Sequence, residues 1–296
     1  MSRAPGASVP AAVALAVAVG AVSWASILVR LSEAPSLGIA FYRLLFSVLI
    51  LAPFALRRGE PVSSRTYAAA ATAGFLLALH FAFWISSLRF TSIASSVVIV
   101  STQPVFTAAL GPYLLKEKPG PRGIAAVALA LCGTAVLAGG DFAVGGRALV
   151  GDLLALVGAV TASAYFMIGR RVRERIAFPR YLLLVNSVSA LALLAFAVIG
   201  GASLSGYPAP TWGWLVLMAA GPHLMGHGLL NWSVRRLRAF TVNMAVLGEP
   251  VLATLYGALL FGEVPGAAFY AGAALIAGGI VVASRQERGV PAGPSL

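Results

Sequence analysis

The chain has 296 residues, of which 59% are hydrophobic and only 10% charged, with a mean hydropathy of +0.91 and a formal net charge of +12. A water-soluble chain carries about 25% charged residues. Too few charges are present to cover a solvent-facing surface, so a soluble globular fold is excluded. Strands of a membrane β-barrel would show alternating polarity over roughly ten residues, and that pattern is absent. What remains is an all-α polytopic membrane protein.

Ten apolar runs follow one another, each long enough to cross a hydrocarbon layer of roughly 30 Å as helix. They cover about 9–29, 37–56, 66–88, 93–115, 121–139, 149–169, 180–200, 211–234, 239–260 and 265–284. The first, preceded by Arg3, has the outline of a signal peptide, but nine further spans make a retained helix the better reading. Charge, Pro and Gly gather in the linkers, as in "RRGEPVSSR" (57–65), "KEKPGPR" (116–122) and "GGDFAVGGR" (139–147).

The placement of the basic residues decides what the net charge means. The N-terminus and the linkers after even-numbered spans hold 17 of the 21 Lys and Arg residues; the opposite linkers hold only Arg30, Arg89 and Arg147. This is the positive-inside bias, and it predicts both termini in the cytoplasm. The basic charge thus reads as a topology signal suited to an anionic inner leaflet, not as a nucleic-acid surface. Cys132 is the single cysteine, so no disulfide framework exists.

The chain repeats itself. At an offset of 146 and without a gap, "PVFTAALGPYLLKEKPG" (104–120) lies over "PVLATLYGALLFGEVPG" (250–266). Pro104/Pro250, Gly111/Gly257, Leu114/Leu260, Glu117/Glu263 and the Pro-Gly pair coincide, and "VGAV" at 19–22 returns at 157–160. Two units are predicted, residues 9–141 and 147–286. Five spans per unit is an odd number, so the second unit must run opposite to the first, with Glu117 on the cytoplasmic side and Glu263 outside. Inverted repeats of this kind are a transporter architecture, although some channels share it.

The segment "EPVLATLYGALLFGEVPGAAFYAGAALIAGGIVV" (249–282) resembles the closing signature of the EamA family in the drug/metabolite transporter superfamily. The opening "WASILVRLSEAPSLGIAFYRLLFSVLILAPF" (24–54) resembles that family's first helix pair. The resemblance covers about residues 9–284. It implies a ten-helix exporter of amino acids or other small metabolites, with exporters of aromatic amino acids among its kin. Small-multidrug relatives carry protons on a first-helix Glu, which neither span 1 nor span 6 has at its middle here.

Polarity predicts which spans surround a cavity. Spans 5 and 10 are almost entirely small and aliphatic, with small-xxx-small faces that permit close helix approach. They belong at the periphery or in a contact between two copies of the chain, the one homodimer contact predicted. Spans 1, 3, 4, 6, 8 and 9 carry the polar and aromatic groups. In span 3, Gly74 precedes His80 by six residues; in span 8, Gly221 precedes His227 by six. His80 and His227 therefore occupy equivalent places. His80, Phe83 and Trp84 form one stripe; His223, His227 and Asn231 share a face of span 8. Polar groups at this depth are costly unless they face the bundle interior or water. Three readings stand: pocket lining, hydrogen bonding between helices, or a metal site using His80, His223 and His227. The last lacks any accompanying Asp or Cys cluster, and no metal or cofactor is expected.

Trp24, Tyr42, Tyr165 and Asn243 complete the candidate substrate-binding set. Glu249, near the middle of span 9, could carry a proton, hold a substrate ammonium or bond a carbonyl freed by Pro250. Arg43, inside span 2, could attract a carboxylate, or snorkel and pair with Glu33. Pro104 and Pro250 are candidate hinges. With no Gly-x-x-x-x-Gly-Lys-Ser/Thr loop, ATP does not power the protein directly. The expectation is a secondary exporter in a bacterial inner membrane, acting on a small-molecule substrate by alternating access. The rivals are a channel and an intramembrane metal hydrolase.

Overall fold

The computed structural model describes residues 11–55, 62–91, 93–116, 118–138, 146–262 and 266–287. Among them every regular element is helical. The chain order is α1 (Ala11–Val22), α2 (Ala25–Leu31), α3 (Ser36–Ala55), α4 (Ser64–Ser87), α5 (Ile93–Val100), α6 (Gln103–Leu114), α7 (Pro121–Ala138) and α8 (Gly146–Val172). It continues with α9 (Phe178–Ile199), α10 (Ala209–Met218), a π-helical stretch (Ala219–His227), α11 (Gly228–Ser233), α12 (Ala239–Val246), α13 (Glu249–Phe261) and α14 (Ala267–Glu287).

Each expected apolar run falls on one helix or on two or three helical segments joined end to end. Seven of these rods are long and apolar enough to cross a membrane: α1–α2, α3, α4, α5–α6, α8, α9 and α12–α13. Shorter apolar stretches lie in α7 and α14, at Pro121–Val136 and Ala267–Ala283. The remaining rod is α10, the π stretch and α11 in series. Glu117 and Glu263, on which the expected inversion of the repeats was argued, lie outside the described residues.

Two of the interruptions fall beside the candidate hinges Pro104 and Pro250 and have a stated cause; the others were not expected. A proline ring clashes with the carbonyl four residues back and supplies no N–H to the ladder. Four residues before Pro104 is Val100, where α5 ends; four before Pro250 is Val246, where α12 ends. In α6 and α13 the proline sits in the first turn, where a missing N–H costs nothing. Repeat-equivalent prolines thus break repeat-equivalent rods at the same register. The break between α1 and α2 has no proline; Ser23 Oγ donates to the Val19 carbonyl there at 2.7 Å. In the π stretch, Pro222 lies inside the helix, and an extra residue per turn is a known response to such an insertion.

Packing is symmetric when the halves are exchanged. The third rod of the first half, α4, packs on the first rod of the second, α8; the π stretch and α11 pack on α1 in return. The second rods, α3 and α9, pack on each other, as do the last rods, α7 and α14. The α7–α14 contact is backbone to backbone: a Cβ placed on Gly133 would lie 2.7 Å from the Gly272 carbonyl oxygen. One on Gly279 would lie 2.7 Å from Ala130 Cβ. The small-residue faces are therefore engaged with each other inside one chain, and large apolar side chains such as Ile124 and Tyr270 remain exposed on the outside. One core runs through α1 to α4, α8, α9 and the π rod, and a smaller one joins α7, α12 and α14.

Candidate substrate cavity

The helix breaks converge on one place. Val22 and Ala25 flank the first, Val100 and Gln103 the second, Val246 and Glu249 the third, and all six line a single central cavity. Arg43 from α3, His80 and Trp84 from α4, Ala162, Tyr165 and Phe166 from α8, His227 from the π stretch and Leu230 from α11 complete the wall. Backbone that leaves the helical ladder inside a membrane protein is tolerated where it lines a cavity or is buried in protein. The cavity volume is about 30 Å³, far below the range of about 300–1,000 Å³ usual for small-molecule sites, so a solute must widen it.

Six sequence-predicted site residues come together here: Arg43, His80, Trp84, Tyr165, His227 and Glu249. The equivalent histidines of the two halves share the cavity, with ring centroids 6.3 Å apart. The Nδ1–H of His80 donates to the Gly158 carbonyl at 2.9 Å. A neutral imidazole fixed in that tautomer keeps Nε2 as an acceptor. The rings of His80 and Trp84 are parallel within 3° at 6.0 Å. This follows from their i, i+4 spacing on α4.

The other predicted residues lie outside the cavity lining. Trp24 is 37% exposed and stacks on Tyr256 at 4.7 Å. The Tyr42 hydroxyl donates to the Leu204 carbonyl at 2.6 Å, and its ring packs edge-on against Trp212. Phe83 is half-buried on a different face of α4. His223 is buried behind the wall, where its Nε2–H donates to Asn186 Oδ1 at 3.1 Å. Asn231 Nδ2 donates to the Tyr165 hydroxyl and to the His227 carbonyl, so it orients two lining residues without lining the cavity itself. Asn243 Nδ2 donates to Thr107 Oγ1 at 2.6 Å where α12 meets α6. Pro104 and Pro250 stand just behind the cavity, beside Gln103 and Glu249. Among the described residues no three His, Cys, Asp or Glu side chains form a metal-ligating group.

Arg43 departs from the snorkelling expectation. It is wholly buried, its guanidinium lies 4.2 Å from the centre of the Phe81 ring, and none of its three nitrogens has a protein hydrogen-bond partner. The Ser47 hydroxyl and the Arg43 carbonyl bond at 2.7 Å, which pins the backbone but not the head group. Glu249 is the acid that lines the same cavity as Arg43; Glu33 instead bonds through its backbone N–H to Thr211. Gln103 Oε1, Trp84 Nε1 and His227 Nδ1 are likewise buried and unpartnered. The half-helices α6 and α13 begin at Gln103 and Glu249 with no capping side chain, and α5 and α12 end at Val100 and Val246, so partial positive and partial negative helix ends meet at this cavity.

Some lining residues were not singled out beforehand. Gln103 lies at the repeat offset of 146 from Glu249, which could have found it. Ala162, Tyr165 and Phe166 stand at i, i+3 and i+4 of α8, the spacing of one helix face, so Phe166 could have been found from Tyr165.

Paired half-helices around a buried polar cavity define an integral membrane transporter. The chain matches the EamA-like transporter family twice, over residues 10–139 and 149–285, and it belongs to that family, within the drug/metabolite transporter superfamily. It is 24% identical to an uncharacterised transporter of Archaeoglobus fulgidus over 88% of this chain and 91% of that one. It is 28% identical to the aromatic amino acid exporter YddG of Ancylobacter novellus over 73% of this chain and 75% of that one. A crystal structure superposes with a TM-score of 0.76 at 21% identity, covering 95% of this chain and 99% of that one. That likeness concerns the fold.

Proposed function

We propose that this transporter exports amino acids or related small metabolites across a bacterial inner membrane by alternating access, with ten spans and both termini in the cytoplasm. The observation that carries the reading is the position of the cavity. It lies where repeat-equivalent breaks before Pro104 and Pro250 meet, so bending one half-helix pair and straightening the other would open it to alternate sides. The exchange of roles between repeats is the general logic of inverted-repeat carriers. The aromatic lining from Trp84, Tyr165 and Phe166 suits a solute with an apolar side chain, in keeping with the amino-acid exporter among the relatives.

Counterflow in proteoliposomes tests it. Vesicles loaded with an unlabelled amino acid and diluted into its labelled form should accumulate label transiently, because one site presents itself to each side in turn. Equilibration without an overshoot would mean a channel and would overturn alternating access. Orientation is checked in the same vesicles after Cys132→Ala, with Glu117→Cys and Glu263→Cys labelled by an impermeant reagent. The two cysteines are expected to react from opposite sides.

A further inference from the structure

We propose that the cavity is a charge-matched clamp for a small free zwitterion of the amino-acid class, its carboxylate on Arg43 and its ammonium on Glu249 and Gln103 Oε1. This deepens the transport reading and rests on it only for the passage of the ligand; the binding itself is tested apart.

The argument begins with the buried charges. Among the described residues Arg43, Arg173 and Glu249 are buried and formally charged. Arg173 lies past the end of α8, where its NH1 donates to the Ile176 carbonyl at 2.9 Å and its guanidinium packs on Phe178. Arg43 has only the face of Phe81. A planar fork of five N–H donors, wholly removed from water and bonded to nothing, matches a carboxylate in shape and charge. Removing a cation from water without a partner is costly, so the site gains most from a ligand that completes it.

Glu249 supplies the opposite charge on the same wall. Together with Arg43 it leaves the cavity wall with no net formal charge. A ligand with one charge would neutralise one side and leave the other buried and unpaired; a zwitterion answers both. Gln103 Oε1 is a second acceptor on the repeat-equivalent half-helix, unpartnered and buried. An ammonium has three donors to place, and Glu249 together with Gln103 offers acceptors from two directions. The parallel His80 and Trp84 rings, with Tyr165 and Phe166, form the apolar remainder of the wall. The aromatic groups thus take the side chain, and the charges select the head group.

The test compares L-phenylalanine, L-tryptophan and L-leucine with their methyl esters and their desamino acids. Binding to purified protein is read by calorimetric titration and ligand-induced thermal stabilisation. The parent that binds best should lose at least about tenfold in affinity in either analogue, as expected when a charged group loses its bonded partner. Arg43→Gln should weaken the parent and bring the methyl ester level with it; Glu249→Gln should do the same for the desamino acid. This crossed pattern is not produced by a merely structural role. If either variant misfolds, Arg43→Lys and Glu249→Asp are expected to keep the preference for the zwitterion. The clamp is overturned if an analogue binds wild-type protein within about threefold of its parent, or if none of the three parents binds. The crossed pattern without counterflow would leave the clamp standing and sink the transport reading. Counterflow with indifferent head-group analogues would do the reverse.

Discussion

His80 and His227 share one cavity, their rings 6.3 Å apart, although each belongs to a different half of the chain and occupies the equivalent place in it. They are not held alike. His80 is tied through Nδ1 to the Gly158 carbonyl at 2.9 Å, whereas His227 Nδ1 has no protein partner. His80→Ala should therefore lower thermal stability by about 0.5–1.5 kcal/mol, the net worth of one hydrogen bond, since the Gly158 carbonyl keeps Thr161 Oγ1 as a donor at 3.1 Å. His227→Ala should leave the melting temperature nearly unchanged. Both should weaken transport while expression persists. Wild-type uptake in both variants would remove these rings from the substrate path.

Pro104 and Pro250 end α5 and α12 at the carbonyls their rings would strike. Pro104→Ala and Pro250→Ala each restore an N–H and remove the clash, lifting a penalty of about 3 kcal/mol on the continuous helix. The half-helices are then expected to join and stiffen. Counterflow should slow several-fold in each variant, with stability held or raised, the usual outcome when a hinge is removed. Transport at the wild-type rate in both would show that the breaks are static.

The contact of α7 with α14 admits no side chain at Gly133, where an added Cβ meets the Gly272 carbonyl at 2.7 Å. Gly133→Leu should force the helices apart and cost about 1–3 kcal/mol or more through overpacking. Detergent-solubilised protein would melt several degrees lower, while Leu in place of Gly213, which has nothing near it, should be tolerated. Equal melting temperatures for the two variants would mean that the close approach does not support the fold.

Arg173, in the linker between α8 and α9, is buried. Burial and the neighbouring Arg235 lower its pKa to about 10. It stays charged through the physiological range, so no pH response there should be attributed to it.

Much was legible in the residues alone. An overwhelming apolar content with charge gathered mostly in short linkers admits only a helical membrane bundle, and the apolar runs place nearly every rod. The repeat was equally plain, because Pro, Gly and Glu at a constant offset leave a mark that apolar drift cannot imitate. Even the equivalence of His80 and His227 followed from spacing. Direction around a helix axis did not. Arg43, His80 and Glu249 reach the same cavity because α3, α4 and α13 are rotated toward one another by packing between distant segments. Trp24, Tyr42 and Asn243, no less polar or aromatic, were turned to other neighbours by that packing. The helix breaks show the same division. Two prolines announce a weak point in the ladder, but a broken helix survives there only if surrounding rods leave a space for it to line, and that space exists only once both halves have closed around it.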